Sequence, residues 1–498
     1  MAAIIVLTLY GIAMLFIFSY NVMQLQLVYH YWKFKRSRKK LSPAPVQEIP
    51  PQDLPIVTVQ LPVYNELYVV QRLIDAVAAL DYPKDKLEIQ VLDDSNDETV
   101  QLIAEKVAEH QKRGIWIEHI QRENRQGFKA GALAYGLNIS QGEYVAIFDA
   151  DFVPPPHFLK KTLPEFGNPQ IGMVQTRWEH LNENYSLLTQ LQAFCLNAHF
   201  TIEQLGRHVQ GHLINFNGTA GVWRKQCIEE AGGWQSDTLT EDLDLSYRAQ
   251  LKGWEFKYLE EIGTPAELPV AMNALKTQQF RWTKGAAECA KKNLRKVYKN
   301  PDLKRGTKIH ATFHLLNSSM FIFVVLVSLL SLPLLYIKDG FSQYAQVIMY
   351  FSFFLTGTVF LGLFYWFSTD IKALKPGKRR WYFFTRFPLF LAMYTGLSLH
   401  NAMAVIEGLS GKKTAFIRTP KFNITQRKDQ QWKANKYLKK NISLLTVLEA
   451  LMAIYFTAGI VIGFVLKDYG LMPFHLMLAA GFGYISFYSV WHSRISRA

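Results

Sequence analysis

The chain has 498 residues, of which 49% are hydrophobic and 19% are charged, and its formal net charge is +15. The mean hydropathy of +0.01 is too high for a typical water-soluble enzyme and too low for a chain that lies entirely in a membrane. Three stretches, 33–40, 369–380 and 411–440, hold 21 Lys and Arg residues against two Asp. Each stretch borders an apolar run, and the rest of the chain is slightly acidic. The composition therefore indicates a membrane protein with cytoplasmic basic flanks and argues against nucleic acid as a partner.

An apolar run over residues 2–28 opens the sequence and precedes the basic segment KFKRSRKK. A cleaved signal peptide has the opposite order, with its charge before a shorter apolar core. We therefore predict a transmembrane helix within residues 1–32, with its N-terminus outside the cell. The Pro-rich segment LSPAPVQEIPPQDLP indicates that residues 33–55 form a linker.

Residues 56–310 have the composition of a globular domain that faces the cytoplasm. Strand-like segments occur at 56–64, 87–94, 115–121 and 144–151, and helical patterns lie between them. This alternation predicts an α/β domain with a mostly parallel sheet. Ligands of such sheets bind beyond the carboxyl ends of the strands, where this sequence places its acidic clusters. Three cysteines without C-x-x-C spacing predict free thiols, as expected in the cytosol.

A further helical pattern within 183–206 consists of apolar residues at helical spacing, namely Leu187, Leu191, Phe194, Ala198, Ile202 and Leu205. A core helix and an amphipathic helix at the membrane surface explain this pattern equally well.

The remaining residues, 311–498, contain five apolar runs, at 313–337, 345–367, 383–406, 444–466 and 471–491. If all five crossed the membrane, the basic stretches 369–380 and 411–440 would lie on opposite sides. Since both are strongly basic, we predict that 383–406 lies along the interface and that the other four runs cross.

Two carboxylates follow the fourth predicted strand in the sequence Asp149-Ala150-Asp151. Carboxylates two residues apart at a strand end can share one divalent cation that binds diphosphate oxygens. An ordinary exposed turn is the alternative.

Two other acidic pairs allow a structural and a functional interpretation. In Asp93-Asp94-Ser95, an Asp or the Ser suits a helix N-cap, or the carboxylates suit hydrogen bonds to a ribose or base. Glu241 and Asp242, after Thr240, suit the start of a helix, or a general base that takes a proton from an acceptor hydroxyl.

Basic and aromatic residues stand out in two more motifs. Lys129, in GFKAG, opens a predicted helix, where its charge and the helix N-terminus favour phosphate. Arg281 and Trp282, in QQFRW, offer a charge for a diphosphate and a flat face for a sugar, or an aromatic anchor at the bilayer interface. The sequence has no P-loop, G-x-G-x-x-G or H-E-x-x-H motif.

Five motifs in order, PVYNE (62–66), DDS (93–95), DAD (149–151), TED (240–242) and QQFRW (278–282), resemble those of the processive family 2 glycosyltransferases. Cellulose synthases, hyaluronan synthases and plant mannan and glucan synthases form this group. The resemblance implies a GT-A type domain inserted between transmembrane helices. It also implies a UDP- or GDP-sugar donor and a divalent cation, Mg²⁺ or Mn²⁺.

Site residues follow from the same resemblance. The donor side would comprise residues near the base and ribose, a lysine at the diphosphate and two metal ligands: Tyr64, Glu66, Asp94, Lys129, Asp149 and Asp151. Asp149 also counts as nucleotide-binding, and Asp242 matches the catalytic base. The acceptor and diphosphate side would comprise Glu241, Gln278, Arg281, Trp282, Asn217 and Gly218.

The segment Phe416-Ile417-Arg418-Thr419-Pro420-Lys421, in the loop 411–425, resembles the F-x-V-T-x-K gating loop of cellulose synthases. Phe416, Thr419 and Lys421 match that pattern, whereas Arg418 replaces its valine.

The resemblance implies an inverting β-glycosyltransferase that polymerises glucose or mannose, with β-1,4 linkage, and extrudes the polysaccharide through the bilayer. Transfer of one sugar to a lipid is the alternative within the enzymes. A non-catalytic transporter or scaffold is a third interpretation, which predicts lost motif acids, yet every expected carboxylate is present. The sequence identifies no accessory subunit.

Overall fold

The computed structural model describes residues 1–38, 49–424, 429, 431–438 and 442–495. Parts of the predicted linker 33–55, of the basic stretches 33–40 and 411–440, and the last residue of the loop 411–425 lie outside the described residues.

A seven-stranded sheet forms the centre of the globular domain. Its strands are β1 (Val57–Val63), β2 (Leu87–Asp93), β3 (Ile117–Gln121), β4 (Tyr144–Ile147), β5 (Ile171–His180), β6 (Gly221–Arg224) and β7 (Glu255–Ala266). The strand order is β3-β2-β1-β4-β6-β5-β7. Strands β1 to β4 pair in parallel, as predicted, and β5 pairs in parallel with β7. Only β6 among the described strands runs against its neighbours.

Helices surround this sheet and continue beyond it. Those up to residue 299 are α1 (Ala2–Arg38), α2 (Val70–Ala78), α3 (Thr99–Lys112), α4 (Phe128–Ile139), α5 (Phe158–Thr162), α6 (Leu187–Ala198), α7 (Leu205–His208), α8 (Lys225–Glu230), α9 (Glu241–Gln250) and α10 (Met272–Lys299). The later ones are α11 (Arg305–Leu315), α12 (Met320–Gly340), α13 (Ala345–Phe351), α14 (Thr356–Ser368), α15 (Pro376–Gly396), α16 (Ser398–Ser410), α17 (Leu444–Val465) and α18 (Met472–Ile495).

The two faces of strand β1 explain how the sheet positions α4. Alternate residues such as Val59 and Leu61 are fully buried in one core with α2 and α3. On the other face Gln60 donates a hydrogen bond to Gln90 on β2, at 3.0 Å. Helix α4 approaches this face so closely that a Cβ on Gly136 would lie 2.6 Å from the Gln60 amide nitrogen. Glycine therefore permits the contact that brings the start of α4 over the strand ends.

The apolar pattern within 183–206 forms α6, a π-helical turn from His199 to Gln204, and α7. Five of its six apolar residues are buried, and Leu187 is exposed. Phe194 packs against Tyr365 on α14 and Phe390 on α15. The core alternative therefore describes this segment, which lies between the sheet domain and the apolar helices.

Among the described residues, four helical segments are long and apolar enough to cross a membrane: Ala2–Arg38, Asn317–Gly340, Ser342–Lys372 and Leu444–Val465. The run predicted to lie at the interface forms α15 and α16, which meet at a bend of 49° and qualify only as one broken span or a re-entrant loop. Helix α18, predicted to cross, is not among these segments and packs against α15 and α17.

Candidate active site

An open cleft with about 1230 Å³ of empty space lies at the carboxyl ends of the parallel strands. Asp93 does not line it, whereas the site residues that the family resemblance implied all do: Tyr64, Glu66, Asp94, Lys129, Asp149, Asp151, Asn217, Gly218, Glu241, Asp242, Gln278, Arg281, Trp282, Phe416, Thr419 and Lys421. The structure thus brings together residues that are more than 350 positions apart in the sequence.

Strand topology explains why the motifs meet. Tyr64 directly follows β1, Asp94 follows β2 and Asp149 lies two residues beyond β4. Strand β6 runs the other way, so the turn before it, with Gly218, reaches the same edge of the sheet. Gly218 has a φ of 81°, a left-handed conformation that favours glycine.

The acids of the TED motif lie at the start of α9, facing Lys129. The Lys129 ammonium donates hydrogen bonds to Asp149 Oδ1 at 2.5 Å and to the Gly218 carbonyl at 2.9 Å. Its nitrogen also lies 3.9 Å from Glu241 Oε1. Asp242 Oδ1 accepts a hydrogen bond from the backbone N–H of Leu243, at 2.8 Å. The Lys129 ammonium therefore lies close to the carboxylates of both Asp149 and Glu241.

Burial dominates the electrostatics of this group. It raises the pKa of Asp242 to about 7, and the neighbouring Glu241 carboxylate adds to this effect while Lys129 opposes it. Burial likewise raises the pKa of Glu241, again against Lys129. Burial disfavours the charge of Lys129, but Asp149 and the other acids outweigh it and raise the pKa of Lys129. The lysine is thus charged, and Asp242 can exchange a proton near neutral pH.

The predicted base and ribose residues each contact a cation of this chain. Arg418 Nη1 lies 2.6 Å from Glu66 Oε2. Burial raises the pKa of Glu66 to about 7, although Arg418 opposes this shift. The Arg125 guanidinium lies 3.3 Å from the centre of the Tyr64 ring. Arg125 was missed because it belongs to none of the motifs, and Arg418 was noted only as a departure from the gating-loop pattern.

Asp93 and Asp94 do not cap the following helix. Asp94 Oδ1 accepts a hydrogen bond from Arg122 Nε at 2.9 Å, and Asp93 Oδ2 pairs with His119 at 2.8 Å. The N-cap of α3 is Glu98, whose side chain makes no capping bond. The capping interpretation is therefore wrong for Asp93 and Asp94, and Ser95 Oγ instead accepts a hydrogen bond from the Asn65 backbone N–H at 2.8 Å. Asp94 lines the cleft.

The Asp149 and Asp151 pair suits a hard divalent cation by the chemistry of its oxygen donors. Each carboxylate already attracts a positive group, since Asp149 pairs with Lys129 and Asp151 Oδ2 lies 2.5 Å from Lys421 Nζ. No cluster of three or more metal-ligating side chains occurs within the described part of the chain. Two carboxylates alone would not fill the coordination shell of such a cation. The pair therefore fits a divalent cation that the phosphate oxygens of a bound nucleotide would also hold, and Lys129 or Lys421 would then give up its ion pair.

The described part of the loop 411–425 covers the cleft. Phe416 stacks on Phe128, with ring centres 5.8 Å apart, and lies under the Arg281 guanidinium at 4.7 Å. Arg281 also donates a hydrogen bond to Thr419 Oγ1 at 3.0 Å. Together with the ion pair between Lys421 and Asp151, these contacts hold the loop between the Asp149-Ala150-Asp151 segment and the QQFRW segment of α10.

Comparison with known proteins identifies the domain. Residues 53–285 match the family described as "Glycosyltransferase like family 2". This part of the chain is therefore similar to a family 2 glycosyltransferase domain. This match contains all five motifs, from PVYNE to QQFRW.

Proteins with similar sequences match more than half of this chain. Glucomannan 4-beta-mannosyltransferase 2 from Arabidopsis thaliana is 41% identical over 293 residues, which cover 58% of this chain and 55% of that protein. Probable glucomannan 4-beta-mannosyltransferase 4 from Oryza sativa subsp. japonica is 43% identical over 282 residues, 56% of this chain and 51% of that protein. The chain spans about half the length of these relatives.

A mannosyltransferase from Pyrobaculum calidifontis, solved in complex with GDP-Man and Mn²⁺, shares the fold. Its TM-score is 0.55 at 17% sequence identity, and the match covers 82% of this chain and 100% of that one. The predicted GT-A type fold is therefore confirmed for the glycosyltransferase domain.

The cleft is also lined by residues that the motifs did not reveal. Trp282 on α10 lies 6.4 Å, centre to centre, from Trp178 on β5. His180, the last residue of β5, also lines the cleft, as does Glu267, directly after β7. Because β5 and β7 were not predicted as strands, the residues at their ends escaped notice. The pattern IGMVQTRW, with its apolar first half, was the available signal.

Proposed function

We propose that this chain is a membrane-embedded, inverting hexosyltransferase that extends a β-1,4-linked mannan or glucan from a nucleotide-diphosphate sugar. The family 2 domain and the printed activity of the relatives, glucomannan 4-beta-mannosyltransferase, support this assignment. The neighbour's complex with GDP-Man supports a GDP-sugar donor, and a UDP-sugar is the alternative.

The observation that carries the proposal is the pairing of a buried acid with a cationic diphosphate site. Asp242 has its pKa raised to about 7 by burial, and a Cβ on Gly218 would lie 3.0 Å from its Oδ2. Asp242 would take the proton of the acceptor hydroxyl as that oxygen attacks the anomeric carbon. Attack from the side opposite the diphosphate inverts the configuration at that carbon.

The leaving diphosphate requires positive charge on the other side of the sugar. Lys129 and Arg281 line this part of the cleft and would bind its oxygens. Asp149 and Asp151 would hold the divalent cation, Mg²⁺ or Mn²⁺, which supplies further charge stabilisation when bound. The neighbour's Mn²⁺ supports this role.

A bilayer and a growing polysaccharide are the partners that we propose. The basic stretches favour an N-terminus outside, a cytoplasmic domain and one crossing helix before it. Three of the helical segments after it are apolar enough to cross, and the fourth crossing that we propose would be α18. The bend of 49° between α15 and α16 supports an interfacial or re-entrant segment over 383–406. The loop after α16 would then gate the donor site from the cytoplasm.

Substitution of the proposed base tests the mechanism. Asp242→Asn keeps the size of the side chain and removes the proton acceptor, so we expect sugar incorporation by the purified protein to fall by a factor of at least about 100. Asp237→Asn is the matched control, because Asp237 is exposed and pairs with Lys292 outside the cleft. Incorporation by D242N at the wild-type rate would contradict the assignment. Formation of a single-sugar glycolipid without polymer would establish the lipid-acceptor alternative.

A further inference from the structure

Two side chains at the end of strand β5 face the cleft without a role in the proposed chemistry. Trp178 and His180 lie two residues apart on β5 and therefore project to the same side of the strand. Both line the cleft together with Trp282, the tryptophan of the QQFRW motif.

Their polar atoms are incompletely paired. The indole nitrogen of Trp178 is shielded from solvent and has no hydrogen-bond partner among the residues that the structure describes. The ring nitrogens of His180 are also shielded, and of the described side chains only that of Asn197 is close enough to hydrogen-bond the ring. Buried polar atoms in folded proteins are almost always paired, so such a cluster at a cleft requires an explanation. A ligand whose hydroxyl groups hydrogen-bond these side chains would explain the cluster.

The protonation of His180 suits such a ligand. Burial lowers the pKa of His180 to about 3, and the charges of Lys372 and Arg177 add to this effect. The ring is therefore neutral at pH 7, with one nitrogen that donates a hydrogen bond and one that accepts. A sugar hydroxyl both donates and accepts and can pair with either nitrogen.

The aromatic surroundings place this cluster next to the reacting groups. The Trp178 ring centre lies 5.2 Å from that of Phe152, which follows Asp151, and 6.4 Å from that of Trp282. Phe200, on the π-helical turn, lies on another side at 5.1 Å. The two tryptophans thus form a continuous aromatic surface between the metal-binding acids and α10. Flat aromatic faces pack well against the apolar faces of sugar rings.

We propose that Trp178 and His180 form, together with Trp282, the binding site for the last sugars of the acceptor chain. The indole rings pack against sugar rings, and the Trp178 N–H and the His180 nitrogens hydrogen-bond sugar hydroxyls. This inference rests on the proposed function, and it adds two acceptor-binding residues that lie outside the motifs.

Conservative variants of the full-length protein in detergent test this site. Trp178→Phe keeps an aromatic ring and loses the N–H, and His180→Phe keeps a ring of similar size and loses both nitrogens. With β-1,4-mannotetraose and cellotetraose as acceptor probes, we expect each variant to raise the acceptor KM about tenfold, the effect of one lost hydrogen bond. The donor KM should stay at the wild-type value, because neither residue lies among the base, ribose or diphosphate groups.

Trp223→Phe is the matched control. Trp223 lies on the adjacent strand β6, is fully buried and also has an unpartnered indole nitrogen, but it does not line the cleft. An unchanged acceptor KM in both variants, an equal rise in W223F, or a rise in the donor KM instead would overturn the inference.

The same variants separate this inference from the proposed function. If the wild-type protein transfers no sugar, the proposed function fails, and tetrasaccharide binding is then measured directly by quenching of tryptophan fluorescence. Weaker binding to H180F than to the wild type supports the site, and equal binding overturns it.

Discussion

A buried ion pair joins the helix of the QQFRW motif to the apolar helices, and its removal gives a sharp test of the packing. Lys276 Nζ on α10 lies 2.8 Å from Glu449 Oε2 on α17, and the side chains are only 7% and 0% exposed. Glu449→Met leaves the lysine charge buried with Thr446 Oγ1, at 3.4 Å, as its remaining side-chain acceptor. Breaking a buried pair in this way costs about 3–5 kcal/mol of folding free energy.

The midpoint of thermal unfolding of the purified protein in detergent measures this loss. We expect a clear decrease for Glu449→Met and for Lys276→Met, because each leaves one buried partner unpaired. The double variant Lys276→Met/Glu449→Met removes both charges and should recover most of the stability, which gives a large coupling energy in the double-mutant cycle. Wild-type midpoints for both single variants, or additive losses in the double variant, would refute the reasoning.

Two further predictions concern the reacting acids. Because Asp242 must be ionised to accept a proton and its pKa is raised to about 7, the transfer rate should fall as the pH decreases through about 7. Glu241→Gln removes one cause of that raised pKa and should move this acidic limb to lower pH; an unshifted pH–rate profile would argue against Asp242 as the base. Gly218→Ala places a Cβ 3.0 Å from Asp242 Oδ2 at a φ of 81°, and we expect kcat to decrease at least about tenfold in a folded protein. Wild-type kcat in G218A would show that the close approach is unimportant.

The first half of the sheet was predictable from local patterns. Strands β1 and β2 are short apolar runs that end at an acidic or polar residue, and helical patterns follow each of them. Parallel order then places Tyr64, Asp94 and Asp149 at one edge of the sheet. The second half was only partly predictable: β5 begins with the apolar run IGMV, whereas the reversed direction of β6 depends on its pairing with β4 and β5, which no local pattern shows.

The partners of the motif acids depend on contacts between distant parts of the chain. Lys421 is 270 positions from Asp151, and no local pattern links them. Arg418 was visible only as a departure from the gating-loop pattern, yet it pairs with Glu66. Sequence motifs therefore identified the acids and some of the cations, whereas the pairing of each cation with its acid required the fold.

The product of the purified protein tests the central claim most directly. The protein is incubated with GDP-mannose or UDP-glucose in the presence of Mn²⁺ or Mg²⁺, and the product is digested with linkage-specific glycosidases. The account predicts a polymer that a β-1,4-mannanase or a β-1,4-glucanase degrades and that is absent with D242N. A polymer resistant to both enzymes, or a product that carries a single sugar, would contradict it.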